Sequence, residues 1–181
     1  IKESDGFVVL PGGFGTLDEA FELLTLLQTG KAEPAPVVFL EVEGGSYWKA
    51  WERFVTEEVA RRDLISLVDT NLYRIAGSVK DAAWELIGYY RNYHSVRWVG
   101  DTLVMRLRAR PTDAELAELN SRFADMVRKP IEALSGPLAA ERRSEDVVAL
   151  PRLALSFDRV SYGRLRQFID AVNLLASAPA A

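Results

Sequence analysis

The 181-residue chain has no cysteine, which excludes disulfides and thiolate metal centres and is compatible with a reducing compartment. Histidine is nearly absent as well. His94 is the only one, and with no second ligand near it in sequence it reads as a hydrogen-bonded packing residue, not a base or metal ligand. No apolar run is long enough to span a bilayer and no signal-peptide pattern is visible, so no membrane partner is expected and the expected location is the cytoplasm. Positive charge is not in excess either: the net charge is −4 and the pI about 5.2, so bulk charge draws the chain to neither nucleic acid nor an anionic membrane. Internal repeats, low-complexity tracts and heptad arrays are missing too. What is present is 49% hydrophobic content, enough for one sizeable core or a core and a satellite.

The chain is organised around Pro11-Gly12-Gly13-Phe14-Gly15-Thr16-Leu17-Asp18-Glu19. Phe7-Val8-Val9-Leu10 precedes it as a short apolar run of buried-strand type, and residues 17–29 follow with helical spacing up to a terminating Gly30. Glycines between a strand and a helix start lie where phosphates bind in an open α/β sheet, because unpaired N–H groups and the helix dipole favour an anion there. Gly12, Gly13 and Gly15 are expected to adopt backbone angles closed to other residues and to let a ligand approach closely. The spacing is neither the dinucleotide fingerprint nor a Walker loop.

Thr16 and Glu19 stand in the relation of a capping box, which is one account of Glu19. The helical wheel supplies another. Asp18, Glu22, Thr25 and Thr29 share a polar strip with Glu19 at its edge, on a helix otherwise covered by leucine, alanine and phenylalanine. Such a strip is either a solvated side or the wall of a site. Asp18 reads as a first-turn acid that complements the dipole.

Pro-Gly-Gly-x-Gly-Thr-x-x-Glu, continued by Glu22, Thr25 and Gln28-x-Gly30, resembles the signature of the LONELY GUY (LOG) family. The likeness runs on through residues 36–40 and Ser46-Tyr47-Trp48, and past Tyr90-Arg91-Asn92-Tyr93-His94-Ser95 as in longer bacterial members. Short plant-type members usually have Trp where this chain has Leu26. The resemblance implies a phosphoribohydrolase acting on nucleoside 5′-monophosphates such as AMP, or on cytokinin riboside monophosphates, without metal or redox cofactor and as a homo-oligomer, dimer or higher. It implies Glu19 and Glu22 as catalytic carboxylates, Gly12, Gly13, Gly15 and Thr16 as phosphate contacts, and Thr25 and Gln28 as further ligand contacts. Members of the family were long mislabelled lysine decarboxylases, but Lys31 lacks the context of a Schiff-base lysine. They also carry about half the nucleotide-binding domain, with another Gly-rich loop and a catalytic Arg, ahead of this motif. The chain therefore reads as the C-terminal part of a longer protein. A non-catalytic nucleotide carrier or sensor using the same loop is the alternative reading.

The expected fold class is α/β: residues 1–95 as the C-terminal part of a Rossmann-like parallel-sheet domain, and 96–181 as a small two-layer accessory α/β unit. In the first part, strands are expected at 7–10, 37–42 and 65–68, the first two adjacent and parallel, with helices at 47–62 and 79–93. Trp48 and Trp51 are expected in the core. In the second part, 97–108 reads as a strand interrupted at Gly100-Asp101, Pro111-Thr112-Asp113 opens a capped helix to about 128, 136–146 reads as loop, and a strand at 153–158 and a helix at 162–176 follow. Arg106, Arg108 and Arg110 read as a solvated face, and Arg142-Arg143 and Arg164-Arg166 likewise carry no assigned role.

Overall fold

A computed structural model of the chain describes residues 4–143 and 149–180. The structure is α/β and divides into two compact units. One runs through Ile87 and includes Val160–Arg166; the other comprises Gly88–Arg159 and the chain from Gln167.

The first unit is built on a three-stranded parallel sheet of order β1 (Phe7–Val9), β2 (Val37–Leu40), β3 (Arg74–Ala76). Phe7 pairs with Val37 and Val38 with Arg74, so the expected parallel neighbours form. Val37, Val38 and Phe39 are all fully buried, which is what an unbroken apolar run does in a central strand covered on both faces. Residues alternate between those faces. Val37 and Phe39 pack with Ala20, Leu23 and Leu27 of α1 (Phe14–Gln28) and with Trp48 and Trp51 of α2 (Tyr47–Phe54). Val38 packs with Ala76 and with Ala82 of α3 (Val79–Tyr89). Phe39 stacks on Trp48 at 4.4 Å and meets Trp51 edge-on at 4.7 Å, so both tryptophans are core residues, as expected.

Two elements differ from expectation. The helix expected over 47–62 is α-helical only to Phe54, then widens into a π turn, Val55–Val59, and tightens to a 3-10 turn, Ala60–Arg62. Thr56 Oγ1 donates back to the Glu52 carbonyl at 2.9 Å, a bond that bends helices, and Val55 and Val59 add β-branched crowding. The strand expected at 65–68 is instead the entry to a 3-10 helix, Leu67–Leu72, held by a capping box between Ser66 and Asp69. The third strand forms later, at β3. Gly30 does end α1, with φ +66. Tyr162, from the residues of the C-terminal helix that join this unit, lies against it.

The second unit carries a four-stranded antiparallel sheet of order β4 (Tyr93–Val99), β5 (Thr102–Leu107), β7 (Arg152–Leu155), β6 (Glu132–Leu134). The interrupted strand is a hairpin that turns at Gly100, φ +59. Helices α4 (Asp113–Arg122), α5 (Ala139–Arg143) and α6 (Tyr162–Leu174) and a 3-10 turn, Ala124–Met126, complete the described elements of the chain. Thr112 caps α4 as expected, and the cap is a box completed by Glu115, but the helix ends at Arg122, short of the expected 128. α5 falls inside the stretch expected as loop, of which residues 144–146 lie outside the described ones. Arg106 overturns the solvated-face reading. It is 4% exposed, because β5 is a central strand, and its Nε and Nη2 donate to Glu141 Oε1 at 3.1 and 3.0 Å. Arg152 Nε donates to the same carboxylate at 3.1 Å, and these cationic partners hold the Glu141 carboxyl below the usual range against the opposing effect of burial. Arg166 is also buried, paired with Glu85, whereas Arg108 and Arg110 are exposed.

Candidate functional site

β1 ends at Val9 and α1 begins at Phe14, so the glycine loop lies at the carboxyl edge of the parallel sheet. The end of β2 brings Glu41 to the same edge. Glu41 is 7% exposed; its Oε2 accepts from the Trp48 N–H at 2.8 Å and its Oε1 from the Val42 N–H at 3.1 Å, which sets the start of α2. α2 in turn fixes the loop, since the Tyr47 hydroxyl donates to the Gly12 carbonyl at 2.6 Å. Neither Glu41 nor Tyr47 is identifiable as a support from local spacing. The signal was Ser46-Tyr47-Trp48 following the second strand.

The capping box of Thr16 and Glu19 does not form. Gly13 is the N-cap residue, at φ −88 and ψ −157, with no side-chain cap, and its carbonyl accepts from Leu17 N–H at 3.1 Å. Thr16 therefore sits inside the first turn, where it cannot take the extended N-cap conformation, and Asp18 and Glu19 fall beyond the first turn, which holds no acid. The first N–H groups of α1 are left without a side-chain acceptor. The glycines also act differently from expectation, since none of Gly12, Gly13 and Gly15 has a positive φ. Gly12 is required by proximity: a Cβ there would lie 2.1 Å from Thr16 Oγ1. Gly13 and Gly15 have nothing within 4 Å of a Cβ, so the loop's outer side is open, and Phe14 between them is 94% exposed. What these glycines supply is room.

Glu19 and Glu22 are exposed, and no hydrogen bond to either occurs among the described residues. Thr25 Oγ1 is turned back to the Phe21 carbonyl at 2.7 Å. Gln28 Nε2 donates to Asp69 Oδ2 at 2.6 Å, and the same oxygen accepts from the Ser66 N–H at 2.9 Å. With 3.6 residues per turn and 1.5 Å rise, Gln28 lies on the side of α1 opposite Glu19 and about 18 Å along the axis from Thr16, beyond the length of a nucleoside monophosphate. The structure thus gathers Gly12, Gly13, Gly15, Thr16, Glu19 and Glu22 at one end and side of the helix, with Thr25 farther along. Gln28 is not among them. Among the described residues, no group of three His, Cys, Asp or Glu could hold a metal ion, and His94 Nδ1 lies 2.9 Å from Ser95 Oγ in the second unit.

A parallel sheet with a glycine loop at its carboxyl edge and an uncapped helix behind it defines a Rossmann-like α/β protein. Residues 1–86 match the family model described as "Possible lysine decarboxylase", and over this part the chain is similar to proteins of the LONELY GUY family. It is 35% identical over 95 residues to cytokinin riboside 5′-monophosphate phosphoribohydrolase LOG1 of Arabidopsis thaliana, covering 52% of this chain and 43% of that protein. It is 37% identical over 73 residues to the probable cytokinin riboside 5′-monophosphate phosphoribohydrolase LOGL3 of Oryza sativa subsp. japonica, covering 36% of this chain and 33% of that protein. The chain thus spans less than half the length of these curated relatives. No helix among the described residues is long and apolar enough to cross a membrane.

Proposed function

We propose that the site hydrolyses the N-glycosidic bond of a nucleoside 5′-monophosphate, releasing the free base and ribose 5-phosphate. One observation carries this reading: the uncapped start of α1 opens onto free space beside Gly13 and Gly15, and the unpartnered carboxylates of Glu19 and Glu22 follow on one side of the same helix. The names of the relatives support it, since both describe the hydrolysis of a riboside 5′-monophosphate.

In this reading the N–H groups of the Gly12–Gly15 loop and the Thr16 hydroxyl hold the 5′-phosphate, with the helix dipole adding to the attraction. As the bond from C1′ to the base nitrogen breaks, C1′ becomes oxocarbenium-like. The Glu19 carboxylate stabilises that charge and orients a water whose oxygen bonds to C1′ and which gives up a proton, while the base leaves with the electron pair of the broken bond and takes up a proton from solvent in its place. Glu22, one turn further, supports the negative field. The chemistry requires no metal or redox cofactor. Gln28 acts at a distance, tying α1 to Asp69 and so fixing the helix that carries both carboxylates.

The test is to incubate the full-length protein with AMP, GMP, CMP and a cytokinin riboside monophosphate and to assay free base. Release from at least one of them supports the reading. Binding without release from any would make the protein a nucleotide carrier.

A further inference from the structure

On the side of α1 away from Glu19 lies a cavity of about 110 Å³, whose walls include Phe21, Leu24, Gln28, Trp51, Val59 and Tyr73. Two of these walls carry polar groups with nothing to bond. Tyr73 is 3% exposed and its hydroxyl has no hydrogen-bond partner; Trp51 is 8% exposed and its indole N–H has none. Buried donors normally find an acceptor, so two such groups around one cavity favour an occupant that brings acceptors. Burial, with Glu52 nearby, raises the Tyr73 pKa far above the usual range, so its hydroxyl keeps its proton.

Gln28 adds the opposite polarity. Its Nε2 is committed to Asp69 Oδ2, which leaves the amide carbonyl as the atom it can offer a ligand. The walls therefore combine two donors with one acceptor on an otherwise apolar and aromatic lining. Phe21, at 40% exposure, and the exposed Thr25 form the rim. An apolar cavity of about 150 Å³ admits a benzene ring. This one is somewhat smaller, so a ring requires Phe21 at the rim to move outward.

We propose that this cavity is a second site, taking a free amino-bearing heteroaromatic base of the adenine type, with the Trp51 N–H and Tyr73 O–H donating to ring nitrogens and the Gln28 carbonyl accepting from the exocyclic amine. The choice of a nucleobase rests on the activity proposed above, which releases one. The site itself rests on the cavity and its unpartnered groups. Base held there is not in the way of nucleotide at the glycine loop, because the loop is at the N-terminal end of α1 and Gln28 lies about 18 Å further along the axis.

The experiment is calorimetric titration of adenine into the full-length protein, with and without saturating ribose 5-phosphate. The expected result is one adenine site that ribose 5-phosphate does not displace and Glu19→Gln does not alter. Tyr73→Phe should weaken adenine binding about tenfold without lowering the melting temperature, the loss expected of one hydrogen bond. Val59→Phe, which fills the cavity, should abolish it, and indole, which lacks a ring-nitrogen acceptor, should bind at least about tenfold more weakly than adenine. No adenine binding, displacement by ribose 5-phosphate, or unchanged affinity in a folded Tyr73→Phe protein would each overturn the proposal. Adenine binding is read directly, so a protein that fails to cleave AMP still tests it.

Discussion

Gly15→Ala separates the fold's demand on the glycine loop from the ligand's. Gly15 lies in the first turn of α1, without a left-handed φ, and nothing lies within 4 Å of the position its Cβ would take. Alanine is therefore accommodated without strain. It also removes backbone freedom from the unfolded chain and favours helix, which together stabilise by about 0.5–1 kcal/mol. For a chain of this size that raises the melting temperature by about 2–4 °C per kcal/mol. Function should move the other way. The new methyl stands in the open space before the loop's N–H groups, and losing one hydrogen bond to a charged phosphate, about 1.5–3 kcal/mol, lowers kcat/KM for AMP by about ten- to a hundredfold. Thermal unfolding and base-release kinetics on the same preparation make the comparison. A variant that is more stable and equally active would refute the assignment of the loop's outer side to the phosphate. One that is less stable would refute the open geometry.

Because Glu19 forms no cap, Glu19→Gln should change stability by no more than about 0.5 kcal/mol, yet lower kcat for AMP about a hundredfold or more with binding retained; calorimetry beside kinetics checks both, and near-normal base release would move the search to Glu22. Adenosine should be turned over at least about a hundredfold more slowly than AMP, since the loop's donors recognise the phosphate; equal rates would remove that role. Gly30→Ala should destabilise by more than about 1 kcal/mol in thermal unfolding, because φ is +66 and the added Cβ would lie 1.9 Å from the Tyr162 hydroxyl. Backbone N–H groups of Thr112 and Ser177 draw the Glu115 carboxyl down from 4.5 to about 2, so the stability it contributes is present above pH 4.5 and lost as the pH falls toward 2. Glu115→Gln should flatten the acid side of the stability curve over that window, and an unchanged curve would dissociate Glu115 from it.

Local chemistry determined much of this protein from its sequence. The apolar run at β2, the proline–glycine turn after β1, the Gly30 stop and the Thr112 cap each depend on residues within a turn or a strand of one another, so composition and spacing expose them. The glycine loop's place at the carboxyl edge followed from the same short-range order. Three decisions needed the folded chain. Whether Gly13 or Thr16 opens α1 depends on how β1 delivers the backbone into the turn, and both choices suit the local sequence. Whether an arginine in such a run faces water depends on where the sheet covers it: Arg106 lies within central β5 and meets Glu141, 35 residues away, whereas Arg108, just past the end of that strand, is exposed. Which polar residues of α1 face the cavity depends on partners far along the chain: Asp69, 41 residues from Gln28, holds it there. Tyr47 reaches Gly12 across 35 residues in the same way. Helix period and turn chemistry are properties of neighbours in the chain, but hydrogen-bond partners so far apart are chosen by the crossovers that lay strand beside strand, and those belong to the tertiary structure alone.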